Sequence, residues 1–267
     1  MKKFLKIAEI IAWILLAGGL GTLVGFTNNE HNLIICRQYS INIDWGTADV
    51  LVTKDDIYNV VKQTGQPLKG QSIGYIDAER IESTLKKQPY ITNANVFITI
   101  DGKVVIDVTQ SQPVLRIFNQ KGESFYLDAL GHLLPLNPAF SARVIVANGF
   151  IDEPYSRKAD YLQDSIKMKD SLEFHSVVNH LLKLSLYIQK DQFLKALIEQ
   201  IYVDKNGEIE LIPRIGNQTI LFGNVENIPE KFNRLKVFYL MGLNKTGWNK
   251  YNVINIKFKN QVIGTKL

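Results

Sequence analysis

The chain has 267 residues, enough for one large domain or two of ordinary size. Hydrophobic residues make up 46% and charged residues 21%, a composition that supplies a packed core and excludes a disordered chain. The net charge of +5 is spread along the sequence, so nucleic-acid binding is not expected. With Cys36 as the single cysteine, no internal disulfide can form, and no spacing of Cys and His predicts a zinc site.

An apolar segment near the N-terminus predicts a transmembrane helix at residues 7–26. No charge occurs from residue 10 to residue 26, and about 20 residues cross a hydrocarbon layer about 30 Å thick. Residues 1–6 contain three lysines and form a predicted cytoplasmic tail, while the next basic residue after the segment is Arg37. We therefore expect a single-pass protein of the cytoplasmic (inner) membrane with most of the chain outside. A cleaved signal peptide is the alternative, because small residues near Ala17 suit a cleavage site.

Two features next to this segment are less informative. Gly21 and Gly25 form a small-xxx-small pair that is able to bring two membrane helices together, although chance also supplies such pairs. Residues 27–38 are polar apart from one apolar run, and we interpret them as a linker.

Residues 39–111 have the pattern of a small α+β domain in the order strand, helix, helix, strand, strand. Alternating apolar residues predict the strands, and a cap followed by apolar residues at helical spacing predicts each helix. Asp101 and Gly102 predict a two-residue type I′ turn between the last two strands. The predicted elements are a strand at 39–43, helices after Thr53 and after Asp77, and strands at 96–100 and 104–108.

Residues 112–267 predict a β-rich domain of antiparallel strands with flanking helices. A polar, charged stretch and an amphipathic helix at 176–190 form a predicted helical insertion at about 150–195. Asn206 and Gly207 predict a second tight hairpin. The strands are predicted at 114–118, 124–127, 144–146, 201–203, 209–212, 219–222, 253–258 and 262–263, with a last helix from about Pro229.

No residues in the sequence form a catalytic or cofactor-binding pattern, and we predict no enzyme activity, cofactor or metal. The four histidines (His31, His132, His175 and His180) do not fall at metal-ligand or triad spacing. Glu208 and Glu210 are better explained by an exposed strand face than by a glycosidase pair. The basic residues of the last helix (Lys231, Arg234 and Lys236) are interpreted as a solvated helix face.

The order of several short motifs resembles the bacterial cell-division family FtsQ/DivIB. A tail, a membrane span, a POTRA domain and a β domain follow one another in that family. Three positions depart from its pattern, since Gln110 replaces a glutamate and Asn255 and Lys257 replace Asp and Arg. The matching motifs are GQSIGYID at 70–77, IESTLKKQPYI at 81–91, QPV at 112–114, YLDALG at 126–131, TILFG at 219–223, KFNRL at 231–235 and INIKF at 254–258.

The resemblance implies a non-enzymatic role in septum formation. Such a protein is anchored in the membrane, joins the divisome and binds other single-span division proteins of the FtsB and FtsL type. In the family, the last strand of the β domain accepts a strand from the FtsB-like partner. Transferred to this sequence, the partner-binding residues are Phe258, Lys259, Asn260, Gln261, Val262, Ile263 and Gly264.

Two other classes of protein remain as alternatives. A POTRA-bearing transport or secretion component would require a membrane barrel or further POTRA repeats. A membrane-anchored envelope enzyme would require the acidic residues or histidines to converge in a cleft.

The C-terminal segment at 258–264 also has an alternative explanation, a strand that simply completes the sheet.

Overall fold

The computed structural model describes residues 13–20, 22, 34–65, 68–155, 177–243, 245, 247–248 and 250–266. These residues form two compact units. The first contains residues up to Asp44 together with Val52–Gln110, and the second contains Trp45–Leu51 and Ser111–Leu267.

The predicted transmembrane segment is described only in part. Residues 13–20 are helical with exposed side chains, while most of 7–26, including Gly21 and Gly25, lies outside the described residues. No helix within the described ranges has the length and apolar character needed to cross a membrane.

The first unit has the predicted order of strand, two helices and two strands. Its sheet has the order β1-β3-β2, with β1 parallel to β3 and β2 antiparallel to β3. The helices cover it through buried apolar residues such as Ile57 and Leu85. The elements are β1 (Tyr39–Asp44), α1 (Lys54–Gln63), α2 (Ala78–Lys86), β2 (Ile91–Ile98) and β3 (Val104–Gln110).

The predicted caps of both helices are confirmed. Thr53 accepts a hydrogen bond from the backbone of Asp56, whose carboxylate accepts one from the backbone of Thr53, so the pair forms a capping box. Asp77 caps α2 by accepting a hydrogen bond from the backbone N–H of Arg80.

The predicted linker at 27–38 ends earlier than expected. Cys36 is fully buried, and its backbone N–H donates to the Gln71 carbonyl at 2.8 Å. The Ile73 N–H donates to the Ile34 carbonyl at 2.9 Å. Residues 34–36 are therefore a part of the first unit that pairs with the 70–77 motif. The expectation of a linker missed this pairing because the segment is too short to show periodicity.

The predicted boundary at residues 111 and 112 also needs one correction. Trp45–Leu51, between β1 and α1, belongs to the second unit. The side chain of Gln112 holds this segment, since its Oε1 accepts hydrogen bonds from the N–H groups of Thr47 and Ala48 and its Nε2 donates to the Trp45 carbonyl.

The second unit is built on a nine-stranded sheet with helices. The chain order is β4 (Pro113–Phe118), β5 (Ser124–Asp128), β6 (Leu133–Leu134), β7 (Ile145–Gly149), α3 (Val177–Gln189), α4 (Gln192–Leu197), β8 (Ile198–Val203), β9 (Ile209–Pro213), β10 (Thr219–Gly223), α5 (Ile228–Val237), β11 (Tyr251–Asn255) and β12 (Ile263–Lys266). A π-helical segment, Phe238–Leu243, continues from α5.

The sheet is mixed, so the prediction of antiparallel strands is wrong. The strand order is β12-β11-β10-β9-β8-β7-β4-β5-β6, and the β4/β7, β7/β8 and β10/β11 pairs are parallel. Parallel neighbours require a crossover connection. Helix α3 supplies part of the crossover between β7 and β8, and α5 part of that between β10 and β11. The described part of the predicted helical insertion is thus a crossover, and its buried Leu181 and Ile188 belong to the core.

The hairpin turns also differ from the predicted type I′ geometry. Only the glycine of each pair has positive φ, +80° for Gly102 and +77° for Gly207, whereas type I′ requires positive φ at both central residues. The loops at 99–103, 119–123, 128–132 and 204–208 share one geometry. In each, the first N–H donates to the fifth carbonyl and the glycine N–H donates to the first carbonyl. They are three-residue loops closed by a glycine.

A polar side chain at the first position stabilises each of these loops. In the 128–132 loop, Asp128 Oδ1 accepts from the N–H groups of Leu130 and His132 at 2.9 and 2.8 Å, and Oδ2 lies 3.0 Å from His132 Nδ1. In the 204–208 loop, Asp204 makes the two equivalent backbone contacts at 2.8 Å. Asp128 is 1% exposed and Asp204 is half-buried, so the loops form a matched pair that differs in burial.

We expect Asp128→Ala to lower the free energy of unfolding by about 2–3 kcal/mol, because it removes a buried carboxylate that accepts hydrogen bonds from the N–H groups of Leu130 and His132. Asp204→Ala removes the same backbone contacts at a more exposed site, where water is able to replace them. We expect it to lower the free energy of unfolding by about 1 kcal/mol. Urea unfolding of both variants measures the difference. Equal losses would show that burial does not decide the effect.

Candidate partner-binding edge

The last strand, β12, forms an open edge of the nine-stranded sheet. It pairs with β11 in antiparallel register, with Asn255 opposite Ile263 and Ile254 opposite Gly264, and no other described strand lies beside it. The N–H and C=O groups on the outer side of such a strand are available to another strand. The opposite edge, β6, has two residues and both are buried. Strand β12 is thus the exposed edge of this sheet.

The predicted partner-binding residues fall into two parts. Ile263 and Gly264 lie in β12, whereas Phe258, Lys259, Asn260, Gln261 and Val262 form the connection from β11. Asn260 has a positive φ of 60°, a turn conformation that interrupts any strand. The strand instead continues to Thr265 and Lys266, which the prediction omitted. Asparagine tolerates this left-handed conformation and is common in turns, a signal that could have located this break.

Gly264 fits β12 closely against its neighbour. A β-carbon at this position would lie 2.5 Å from Cδ1 of Tyr251. The Tyr251 ring also packs against the Phe238 ring, with the ring centroids 5.8 Å apart. Glycine at position 264 therefore leaves the room that the Tyr251 ring occupies beside β12.

A shallow apolar groove lies beside the β11–β12 connection. Its volume is about 410 Å³. Its walls come from α5 and the π-helical segment on one side and from the connection on the other. The lining residues are Asn233, Arg234, Val237, Phe238, Met241, Gly242, Asn260, Gln261 and Val262. Val237 and Met241 are exposed here.

The basic residues of α5 are not the solvated face that the sequence suggested. Lys231 is 4% exposed, and its Nζ donates to the carbonyl and the side-chain oxygen of Asn224 at 2.7 and 2.9 Å. The ammonium also lies 4.8 Å from the centre of the Phe222 ring. Burial lowers the pKa of Lys231. The charge pattern of a helix does not show which groups a lysine binds or whether it is buried, so these contacts could not be predicted from the sequence.

The other two basic residues also fasten α5 to its surroundings. Arg234 donates from Nη2 to the Ile256 carbonyl at 2.9 Å, directly after β11. Lys236 donates to Asp191, the cap of α4, and this hydrogen bond lowers the pKa of Asp191. The KFNRL motif therefore positions the strands next to the edge.

One member of the acidic pair and one described histidine make structural contacts. Glu208 makes an ion pair with Lys257 at 2.8 Å, and the Lys257 stem lies where a β-carbon on Gly223 would be. His132 contacts Asp128, while His31 and His175 lie outside the described residues. Within the described ranges, no three residues of His, Cys, Asp or Glu lie close enough to hold a metal ion.

The π-helical segment that lines the groove also carries a buried tyrosine hydroxyl. Tyr239 is 1% exposed and its hydroxyl has no hydrogen-bond partner among the described residues. Burial raises the pKa of Tyr239 to about 12. The rings of Phe193 and Trp248 pack edge-on against it.

We expect Gly264→Ala to lower the free energy of unfolding by about 1–3 kcal/mol, because the added methyl group overlaps the Tyr251 ring. In a Tyr251→Ala background the same substitution should cost almost nothing. Urea unfolding of the four chains of this double-mutant cycle measures the coupling. Additive losses would exclude the ring as the cause.

The unpaired hydroxyl of Tyr239 predicts a pH-dependent effect. Above pH 10 the unfolded chain loses the phenol proton while the folded chain keeps it up to about 12, so stability falls as pH rises. The expected slope is about 1.4 kcal/mol per pH unit. Tyr239→Phe should remove this contribution to the pH dependence and should leave stability at neutral pH equal or up to about 1 kcal/mol higher. Urea unfolding of both chains at neutral pH and between about pH 10 and 12 tests this. The same dependence of the free energy of unfolding on pH in both chains would contradict the prediction.

Comparisons with protein families cover both units. Residues 34–109 match the POTRA-like domain, and residues 112–265 match the family described as FtsQ/DivIB, C-terminal related. No curated protein matches the chain. The second match covers more than half of the sequence, so the chain belongs to the FtsQ/DivIB C-terminal-related family.

Proposed function

We propose that this protein is a non-enzymatic scaffold of bacterial cell division. In this proposal, residues 7–26 anchor it in the cytoplasmic membrane, and its folded units outside the membrane bind single-span division proteins of the FtsB and FtsL type. The family supports the general role in division, and the open edge at β12 is the observation that supports the mode of binding.

Strand addition at β12 is the mechanism that the geometry favours. A partner strand would pair with the outer N–H and C=O groups of Ile263–Lys266 and extend the sheet to a tenth strand. Such backbone pairing provides affinity with little dependence on sequence. Selectivity therefore has to come from side chains near the strand.

The surroundings of β12 indicate which partner segment would fit. The groove that contains Val237 and Met241 offers an apolar surface beside the connection to β12. Lys259 and Lys266 are exposed at the two ends of the edge. We infer that the partner strand carries a large apolar residue for the groove and acidic residues opposite these lysines.

We expect the full-length chain to capture FtsB-like and FtsL-like proteins from membranes, and a chain that ends at Val262 to lose the FtsB-like one. This truncation removes β12 and leaves the groove-lining connection in place. Mass spectrometry of the captured proteins measures the result. The matched control is Lys205→Ala, in an exposed loop of the same unit, which should capture normally.

Circular dichroism and thermal unfolding establish whether the truncated chain remains folded. Equal capture by both chains would place the binding site elsewhere, while the scaffold role would stand. If the folded full-length chain captures no division protein, the proposed function is wrong.

A further inference from the structure

Three of the large apolar side chains that the first unit exposes lie on segments that contact one another. Ile35 is 52% exposed, Tyr75 is 76% exposed and Ile100 is 86% exposed. We call these three residues the apolar tip. Exposed apolar groups in one region of a surface commonly mark a contact with a partner or a membrane.

Backbone contacts bring the three segments of the tip together. Residue 35 bridges to Ser72, and the Tyr75 N–H donates to the Ser72 carbonyl at 3.0 Å. On the other side, a β-carbon on Gly102 would lie 3.5 Å from the Ile35 carbonyl oxygen. The β2–β3 loop that carries Ile100 is therefore packed against the segment that carries Ile35.

The local fold does not require an apolar residue at position 100. This loop shares its hydrogen bonds with the three loops of the second unit, which have Gln120, Ala129 and Lys205 at the equivalent position. Its first residue, Thr99, makes the stabilising side-chain contacts. Neither the turn nor the core accounts for the exposed isoleucine.

Basic residues flank the apolar tip. Arg37 and Lys69 are exposed and adjoin Cys36 and Gly70, whose backbones are hydrogen bonded at 2.8 Å. Lys103 closes the loop that contains Ile100. The acidic residues nearby in sequence are Asp101 in that loop and Asp77 two residues after Tyr75, so the three cations outnumber them. Apolar side chains surrounded by cations suit an interface of anionic lipid headgroups.

The length of the chain keeps the tip close to the predicted membrane anchor. Eight residue steps separate residue 26 from Ile34, and fully extended chain covers at most about 3.6 Å per residue. Ile34 is therefore within about 29 Å of the end of the predicted span. Tyrosine, with an apolar ring and a polar hydroxyl, is enriched at the level of lipid headgroups.

We propose that the apolar tip formed by Ile35, Tyr75 and Ile100 inserts into the headgroup layer of the membrane in which the chain is anchored. This inference rests on the proposed function for the anchor at residues 7–26. It adds a second membrane contact that would restrict the orientation of the first unit relative to the bilayer.

The test uses an environment-sensitive fluorophore, NBD, on the full-length chain in nanodiscs of phosphatidylethanolamine and phosphatidylglycerol. Ile100→Cys introduces the labelling site, and buried Cys36 should take up no label in the unmodified chain. Asn93→Cys is the matched control, because it is exposed on β2 about 20 Å from the tip. We expect the label at 100 to be several-fold brighter and to be quenched by nitroxide-bearing lipids, and the label at 93 to show neither effect.

The outcomes separate this inference from the anchor. If the label at 100 behaves like the label at 93, the membrane contact is overturned. If the label at 100 is shielded from water but is not quenched by nitroxide-bearing lipids, the membrane contact is also overturned, and a protein partner is indicated instead. The anchor is tested separately, by alkaline carbonate extraction of the chain from vesicles made of the same lipids. If the chain is extracted while lipid still quenches the label at 100 before extraction, the tip contact holds and the anchor is wrong.

Discussion

The position of the open edge depends on two hydrogen-bonding cations of α5. Strand β12 pairs with β11, and β11 joins the sheet through a parallel pair with β10 whose crossover contains α5. Lys231 binds the Asn224 carbonyl just after β10, and Arg234 binds the Ile256 carbonyl just after β11. These contacts satisfy carbonyls at the strand ends and hold the helix, both strands and the edge in one arrangement.

Placing a lysine in this position is costly unless its charge has partners. Lys231 lies against the Phe222 ring and has two oxygen acceptors, which offset part of the desolvation. A hydrophobic side chain of similar size would fill the space but would leave the Asn224 carbonyl without this donor. The lysine is therefore better explained by the strand end that it binds than by solubility.

Local signals predicted the parts of the fold that local forces determine. Thr53 and Asp56 sit at capping-box spacing, and alternating residues mark β2 and β3, so these elements follow from the sequence. The mixed sheet does not follow from local signals, because the path of α5 between β10 and β11 decides whether the two strands run parallel. The family resemblance predicted a partner-binding strand near the C-terminus, at 258–264. Because Asn260 adopts a turn conformation, β12 begins later, at Ile263, and continues to Lys266. The roles of Lys231 and Arg234 depend on partners distant in sequence.

The short edge would also limit which partners are able to bind in the proposed mode. A long, flat edge would accept strands of many sequences and would promote aggregation. Strand β12 has four residues, includes Gly264 and ends at Lys266, so its backbone alone offers few hydrogen bonds. In the proposed mode of binding, a partner strand would therefore also have to fill the groove between α5 and the connection. The sheet edge and the groove would then act as one binding surface, with the backbone fixing the register of the partner and the groove selecting its side chains.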